Sequence, residues 1–115
     1  MRILVCGGRD EKPWEVCDHL HYLLDGRTDI EYIIHGCAKG ADTGAKYFAE
    51  ESNIAQLAFP ADWDRYKKAA GYIRNKQMRD EGNPDLIIAF PGGVGTKMMI
   101  ELAQEKNIPI HKVGV

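Results

Sequence analysis

The sequence has few cysteines, little net charge and no run of basic residues. Its three cysteines are an odd number and form no C-x-x-C pair, so we expect reduced thiols and a cytoplasmic location rather than a disulfide framework. The formal net charge is −2, and the lysines and arginines are scattered along the chain. A protein that mainly binds a nucleic-acid backbone normally carries a basic face. We therefore expect nucleic acid to be a disfavoured partner, while a local anion site stays compatible with this composition.

Long apolar runs are also absent. No segment reaches the ~20 apolar residues of a membrane span, and the short apolar start passes directly into glycines, so we expect neither membrane association nor a signal peptide. A length of 115 residues predicts a single domain over 1–115. Apolar residues make up 44% of the chain, which is enough for a core. At this size a homodimer or a higher homo-oligomer is an expected supplement to that core.

Short apolar runs alternate with helix-forming segments along the chain. Runs typical of buried strands lie at 3–6, 32–34, 57–59, 86–90 and 108–113. Apolar residues at helical spacing predict helices over 14–24, 41–51, 63–79 and 96–106.

This alternation predicts an α/β fold, because strands separated by helices of this length form a parallel sheet with helices on both faces. We expect a Rossmann-like three-layer αβα sandwich. Right-handed crossovers leave few topologies, and we predict a five-stranded parallel sheet with the strand order 3-2-1-4-5. The order reverses between strands one and four, and ligands of such sheets bind beside that point at the carboxyl ends of the strands.

Glycine-rich turns follow three strands that are neighbours in this order, at 7–10, 35–42 and 91–96. Glycine lets backbone N–H groups approach an anion without a Cβ in the way. A helix that begins directly after such a turn adds unpaired N–H donors and the positive end of its dipole. Three such turns at one edge predict a binding site for a phosphate-bearing ligand.

The candidate ligand-binding residues come from these turns and from the third helix. They are Gly7, Gly8, Arg9, Asp10, His35, Gly36, Gly40, Ala41, Asp42, Trp63, Arg74, Asn75, Pro91, Gly92, Gly93, Gly95 and Thr96. Arg9 and Arg74 are the expected anion contacts, because guanidinium groups match phosphate geometry. For Asp10, Asp42 and Thr96 two interpretations stay open: each either caps a helix or contacts the ligand.

Other ligand chemistries lack their motifs. The dinucleotide fingerprint needs G-x-G-x-x-G after the first strand and an acidic residue closing the second, but the second strand here ends at His35. No Gly-Lys-Ser/Thr follows the glycines, so a Walker A loop is absent. We expect no cofactor. We also expect no metal, since His35, Cys37 and Cys6 fit no usual zinc spacing and His21 looks incidental.

The turns in combination resemble a known family. The residues that carry the resemblance are GGRD at 7–10, HGCAKGAD at 35–42, PADW at 60–63, AGYIRN at 70–75 and PGGVGT at 91–96. They are similar, in this order and over nearly the whole chain, to the SLOG superfamily, which contains the Smf/DprA DNA-processing proteins and the LOG phosphoribohydrolases. Within it they resemble the small YspA/YpsA-related branch, common in phages and bacteria. The resemblance implies a Rossmann-like fold and a pocket for nucleotides or their derivatives.

The catalytic pattern of the LOG branch is matched only in part. LOG proteins carry R-K-x-x-M in a helix and P-G-G-x-G-T-x-x-E in a loop, whose Glu acts with the Arg. Here Arg74 is kept, but Asn75 replaces the Lys and Met99 replaces the Glu. Glu101 is rotated by about 200° from position 99 at 3.6 residues per turn, so it cannot substitute. LOG-type catalysis would need another carboxylate, and Asp42 is our candidate to act with Arg74.

Three functions follow, in order of preference. The first is a sensor or binding module that captures a phosphate-bearing nucleotide or derivative, ADP-ribose-like or similar, without turning it over. The second is a LOG-like nucleoside 5′-monophosphate N-glycosidase in which Asp10, Asp42 or Asp62 supplies the missing carboxylate. The third is DprA-like binding of single-stranded DNA, which the net charge and the lack of a basic stripe disfavour.

Overall fold

The computed structural model of the protein describes residues 1–114 and contains one five-stranded sheet between two layers of helices. The strands are β1 (Arg2–Cys6), β2 (Tyr32–His35), β3 (Ala55–Ala58), β4 (Leu86–Ala89) and β5 (Ile110–Lys112). The helices are α1 (Pro13–Leu23), α2 (Ala41–Glu51), α3 (Trp63–Tyr66), α4 (Ala70–Asp80) and α5 (Val94–Glu105), and a 3-10 turn (Lys67–Ala69) joins α3 to α4. Within residues 1–114, none of these helices is long and apolar enough to span a membrane.

The strand order is β3-β2-β1-β4-β5, and every neighbouring pair is parallel. The predicted fold class and strand order are therefore confirmed. The order reverses where β1 pairs with β4, with Ile3 opposite Leu86 and Cys6 opposite Ala89. The carboxyl ends of these two central strands open the crevice in which ligands of such sheets bind.

Side chains of β1 point alternately to the two faces of the sheet and enter two separate cores. Ile3 and Val5 pack in the core beneath α1 and α2. Leu4 and Cys6 pack in the core beneath α4 and α5. Burial on both faces explains why the strand is a continuous apolar run rather than an alternating one.

The third predicted helix, 63–79, is wrong as a single element. α3 ends at Tyr66, and Lys67 adopts a left-handed φ of 52° before the 3-10 turn. The side chain of Asp62 caps α3 by accepting the N–H of Arg65 at 3.2 Å. The break places Trp63 and the residues of α4 on separate segments.

The edge strands also differ from their predicted bounds. β3 begins at Ala55 instead of 57 and is only partly buried, because an edge strand has a neighbour on one side alone. β5 is shortened to Ile110–Lys112. Pro109 lies just before it, and its carbonyl oxygen accepts the N–H of Ile87 at 2.9 Å, which agrees with the expectation that proline occupies an edge or a strand start.

Candidate functional site

The three glycine-rich turns meet at the carboxyl edge of the sheet. The Gly8 N–H donates to the Pro91 carbonyl oxygen at 2.8 Å, and the Gly8 carbonyl oxygen accepts the N–H of Ala41 at 3.2 Å. Gly40 has a φ of 75°, and a Cβ on it would collide with the Gly8 carbonyl oxygen. The turn after β1 is thus held by backbone contacts to the turn after β4 and to the start of α2.

Several of the predicted glycines therefore serve packing between the turns. A Cβ on Gly7 would meet the side chains of Ala41 and Phe90, and one on Gly92 would meet Thr96. Gly93 and Gly95, at the start of α5, instead have open space around them. These two glycines are the ones that leave room for a ligand.

α5 begins without a side-chain cap. Gly93 is its N-cap, and the first helical bond runs from the Lys97 N–H to the Gly93 carbonyl oxygen at 3.1 Å. The N–H groups of 94–96 precede that bond and so have no partner within the helix. Of the two interpretations left open for Thr96, that of an N-cap is wrong, because Thr96 lies inside the first turn of α5, buried against Gly92. The helix start is a ready anion site.

A cavity of about 410 Å³ lies between this helix start and the segments α3 and α4. Its size is within the range of small-molecule sites. The predicted residues that it brings together are Gly7, Gly8, Arg9, Asp42, Trp63, Arg74, Asn75, Gly93, Gly95 and Thr96. The fold thus brings ten of the seventeen candidate residues to one cavity.

Part of the turn after β2 lies outside this cavity. Gly36 lines a smaller neighbouring depression that Arg9 and Arg74 also border. His35 is buried, and its Nε2 is 2.8 Å from Oε1 of Gln56 on β3. His35 therefore holds the edge strand rather than facing the cavity.

Five more predicted residues do not line the cavity either: Asp10, Gly40, Ala41, Pro91 and Gly92. Pro91 and Gly92 border a second depression beside α5, which also contains the exposed Glu101. The position of Glu101 agrees with its predicted rotation away from position 99. Asp10 is exposed and is not the cap of α1, whose N-cap is Lys12.

Arg74 connects the turn after β2 to the cavity. Its Nη1 donates to the Gly36 carbonyl oxygen at 2.5 Å, and its Nε donates to Oδ1 of Asn75 at 3.0 Å. Burial lowers the pKa of Arg74, and the negative charge of Asp42 opposes this lowering. The guanidinium stays protonated, because an arginine in a protein does not lose its proton. A half-buried, oriented guanidinium therefore forms one wall of the cavity.

Asn75 is buried and ties α4 to the start of α5. Its Nδ2 donates to the Gly95 carbonyl oxygen at 3.2 Å while its Oδ1 accepts from Arg74. Both ends of this amide are bonded within the protein. Asn75 stands where LOG proteins have a Lys. Its side chain positions Arg74 and holds α4 against the start of α5.

Asp42 organises the turn after β2. Its Oδ2 accepts the N–H groups of Gly36 and Ala38, each at 3.1 Å. Burial raises the pKa of Asp42, opposed by these hydrogen bonds and by Arg74. It lies one residue inside α2, whose N-cap is Gly40, so its interpretation as an N-cap is wrong.

Met99 forms part of the cavity wall and of the core beneath α4 and α5, and is only 1% exposed. A thioether therefore stands where LOG proteins carry the catalytic Glu. Among the described residues that line the cavity, only Asp42 carries a carboxylate. Its Oδ2 is hydrogen-bonded to the turn after β2.

Two polar or aromatic residues that line the cavity, Lys68 and Tyr72, were not predicted from the sequence. Tyr72 belongs to the AGYIRN motif, so the family pattern contained a signal for it. Lys68 lies in the 3-10 turn. Its position depends on the break after Tyr66, which helical periodicity did not reveal.

Comparison with known proteins places the chain in a family. The model of the YspA, cpYpsA-related SLOG family matches residues 1–66, which include the turns after β1 and β2. The chain is also 34% identical over 125 residues to the Gene 61 protein of Mycobacterium phage D29, an alignment that covers 98% of this chain and 96% of that protein. The protein belongs to the YspA, cpYpsA-related SLOG family, and at family level this indicates nucleotide-related binding or a LOG-like role.

Proposed function

We propose that the protein binds a phosphate-bearing nucleotide or nucleotide derivative, ADP-ribose-like in chemistry, and holds it without hydrolysing it. The ligand lies in the cavity between α4 and the start of α5. The observation that carries the proposal is the uncapped start of α5, which opens on a cavity that also contains Arg9 and Arg74.

The phosphate is assigned to the helix start. The N–H groups of 94–96 point out of the first turn of α5, where the helix dipole favours an anion by about 0.3–1 kcal/mol at exposed sites and more when partly buried. The cavity wall carries Arg9, Lys68 and Arg74 against the single carboxylate of Asp42. A protein of net charge −2 thus presents a locally positive surface at this point.

The base is assigned to the aromatic side of the cavity. Trp63 and Tyr72 border it and are 50% and 44% exposed. Stacking of a base on an aromatic side chain contributes about 1–3 kcal/mol. A ligand with both a base and a phosphate would cover these rings and meet the helix start together.

Binding without turnover is favoured by the side chains beside the anion site. Glycosidic bond hydrolysis normally uses a carboxylate to stabilise the developing positive charge or to activate water. Position 99 offers a thioether, and one oxygen of the Asp42 carboxylate, Oδ2, accepts two backbone N–H groups. The LOG-like hydrolase stays the alternative that the experiment must test.

The test is a thermal-shift panel of AMP, GMP, CMP, cyclic AMP, ADP-ribose and adenosine, with chromatography of each mixture for free base. We expect at least one phosphorylated compound to raise the Tm through preferential binding to the folded state, a smaller shift with adenosine, and no free base. An equal shift with adenosine would contradict the phosphate assignment. Release of free base would replace the binding module with the hydrolase.

A further inference from the structure

Three side chains with metal-binding chemistry meet where α1 packs on α2, across the sheet from α4. Cys17 and His21 lie one turn apart on α1, and Glu51 ends α2. The Cys17 thiol donates to Glu51 Oε1 at 3.3 Å, and His21 Nε2 lies 2.8 Å from the same oxygen. One ligand atom from each residue lies within 4.8 Å of the other two.

We propose that Cys17, His21 and Glu51 form a binding site for one divalent transition-metal ion of the zinc type. Sulfur, imidazole nitrogen and carboxylate oxygen are the three ligand types that Zn²⁺ takes in proteins. Residues four apart on a helix share a face, so Cys17 and His21 approach an ion from the same side, and Glu51 approaches it from α2. Water completes the fourth position.

The spacing of the donor atoms fits such an ion. Zinc bonds of about 2.0–2.3 Å in tetrahedral geometry put neighbouring ligand atoms roughly 3.5 Å apart. The observed separations of 3.3 Å and 2.8 Å from the Glu51 oxygen need a small expansion, and the remaining pair, Cys17 with His21, lies within 4.8 Å. Side-chain rotation of the half-exposed His21 and Glu51 can supply it without moving either helix.

The surroundings hold the ligands and give an ion access. The His21 ring packs edge-on against Phe48 with ring centroids 4.8 Å apart, which limits its rotation. A groove of about 490 Å³ lined by His21 and Phe48 adjoins the cluster. The half-exposed His21 and Glu51 are therefore accessible to an ion from solvent, while the third ligand, Cys17, is buried.

Charge and proton balance are consistent with a divalent ion. The Cys17 thiol donates its proton in a hydrogen bond to Glu51 Oε1 in the metal-free protein. The ion takes the place of that proton: the S–H bond breaks, a sulfur–metal bond forms, and one proton leaves to solvent. The resulting thiolate and the Glu51 carboxylate together neutralise a 2+ charge.

The test uses Co²⁺ as a spectroscopic probe on protein freed of metal by a chelator. We expect one Co²⁺ per chain, with thiolate-to-cobalt charge-transfer absorption and the intense visible bands of a tetrahedral ion, and competition by Zn²⁺. His21→Ala, a change at a half-exposed side chain, should weaken Co²⁺ binding by more than about tenfold. Removing a residue that merely supports a metal ligand already weakens binding by about 10- to 100-fold, and removing the ligand itself should have a larger effect. Cys37→Ser, at the exposed cysteine, should leave the titration unchanged.

Three results would overturn the site. They are wild-type protein without charge-transfer absorption, His21→Ala with wild-type affinity and spectrum, and loss of the absorption in Cys37→Ser. The wild-type and His21→Ala measurements decide the matter without a substitution of the buried Cys17. Nucleotide binding plays no part in these readouts, so a failure of the metal-site proposal would leave the proposed nucleotide binding unaffected.

Discussion

Arg74 serves the fold and the cavity at the same time. Two of its nitrogens bond Gly36 and Asn75, and the guanidinium faces the cavity in which we place the phosphate. The family pattern identified this arginine from sequence. Its partners could not be predicted, since the Gly36 carbonyl is brought to it from the turn after another strand.

Replacement of this side chain tests its contact with the ligand. Arg74→Ala should weaken nucleotide binding by about 10- to 100-fold, since a hydrogen bond to a charged group contributes about 1.5–3 kcal/mol. Isothermal titration with ADP-ribose well below the Tm measures it. Lys106→Ala, a change at an exposed basic side chain at the far end of α5, is the control. Equal affinity in both variants would remove Arg74 from the site.

Some features of the site depend on side-chain type alone, and these could be predicted from the sequence. The replacement of the catalytic Glu by Met99 is visible in the sequence, and the structure places the thioether in the cavity wall. The hydrogen bonds of Asn75 and Asp42 to the backbone could not be predicted, because they depend on which backbone groups lie near these side chains in the folded turns. Thr96 was misplaced because α5 begins two residues earlier than expected.

At the scale of elements, the boundary between α3 and α4 shows the limit of periodicity. Tyr66, Ala70 and Ile73 share a helical spacing in the sequence, which predicted one helix over 63–79. The chain instead breaks at Lys67, whose left-handed φ of 52° leaves no mark on the spacing of apolar residues. The strand order, by contrast, follows from alternation and crossover handedness and was predicted correctly.

The start of α5 can be tested by removing one N–H while keeping the helix. Proline is favoured at the first helical position, so Val94→Pro, at an exposed side chain, should fold normally but lack one anion donor. We expect about 10- to 100-fold weaker binding of ADP-ribose than in Val94→Ala. Circular dichroism checks that the helix is retained. Unchanged affinity in Val94→Pro would show that this N–H does not contact the ligand.

At the scale of the whole molecule, backbone contacts between three turns build the site. Gly40→Ala should destabilise the protein by more than about 3 kcal/mol, because a Cβ there adds a collision with the Gly8 carbonyl to the ~1–2 kcal/mol cost of left-handed backbone. Gly26→Ala has the same φ of 75° but open space, so it should cost only the backbone term. Urea denaturation of both variants measures the difference. Similar free energies of unfolding would refute the role assigned to Gly40.

The central claim is that a phosphate-bearing nucleotide sits on the start of α5, and an amide-resolved NMR titration tests it most directly. With ADP-ribose and AMP as probes, we predict saturable shifts that are largest at the N–H groups of 93–96, with adenosine leaving those amides nearly unmoved. Saturable shifts confined to another surface, or no shift at millimolar concentrations of either nucleotide, would contradict the claim.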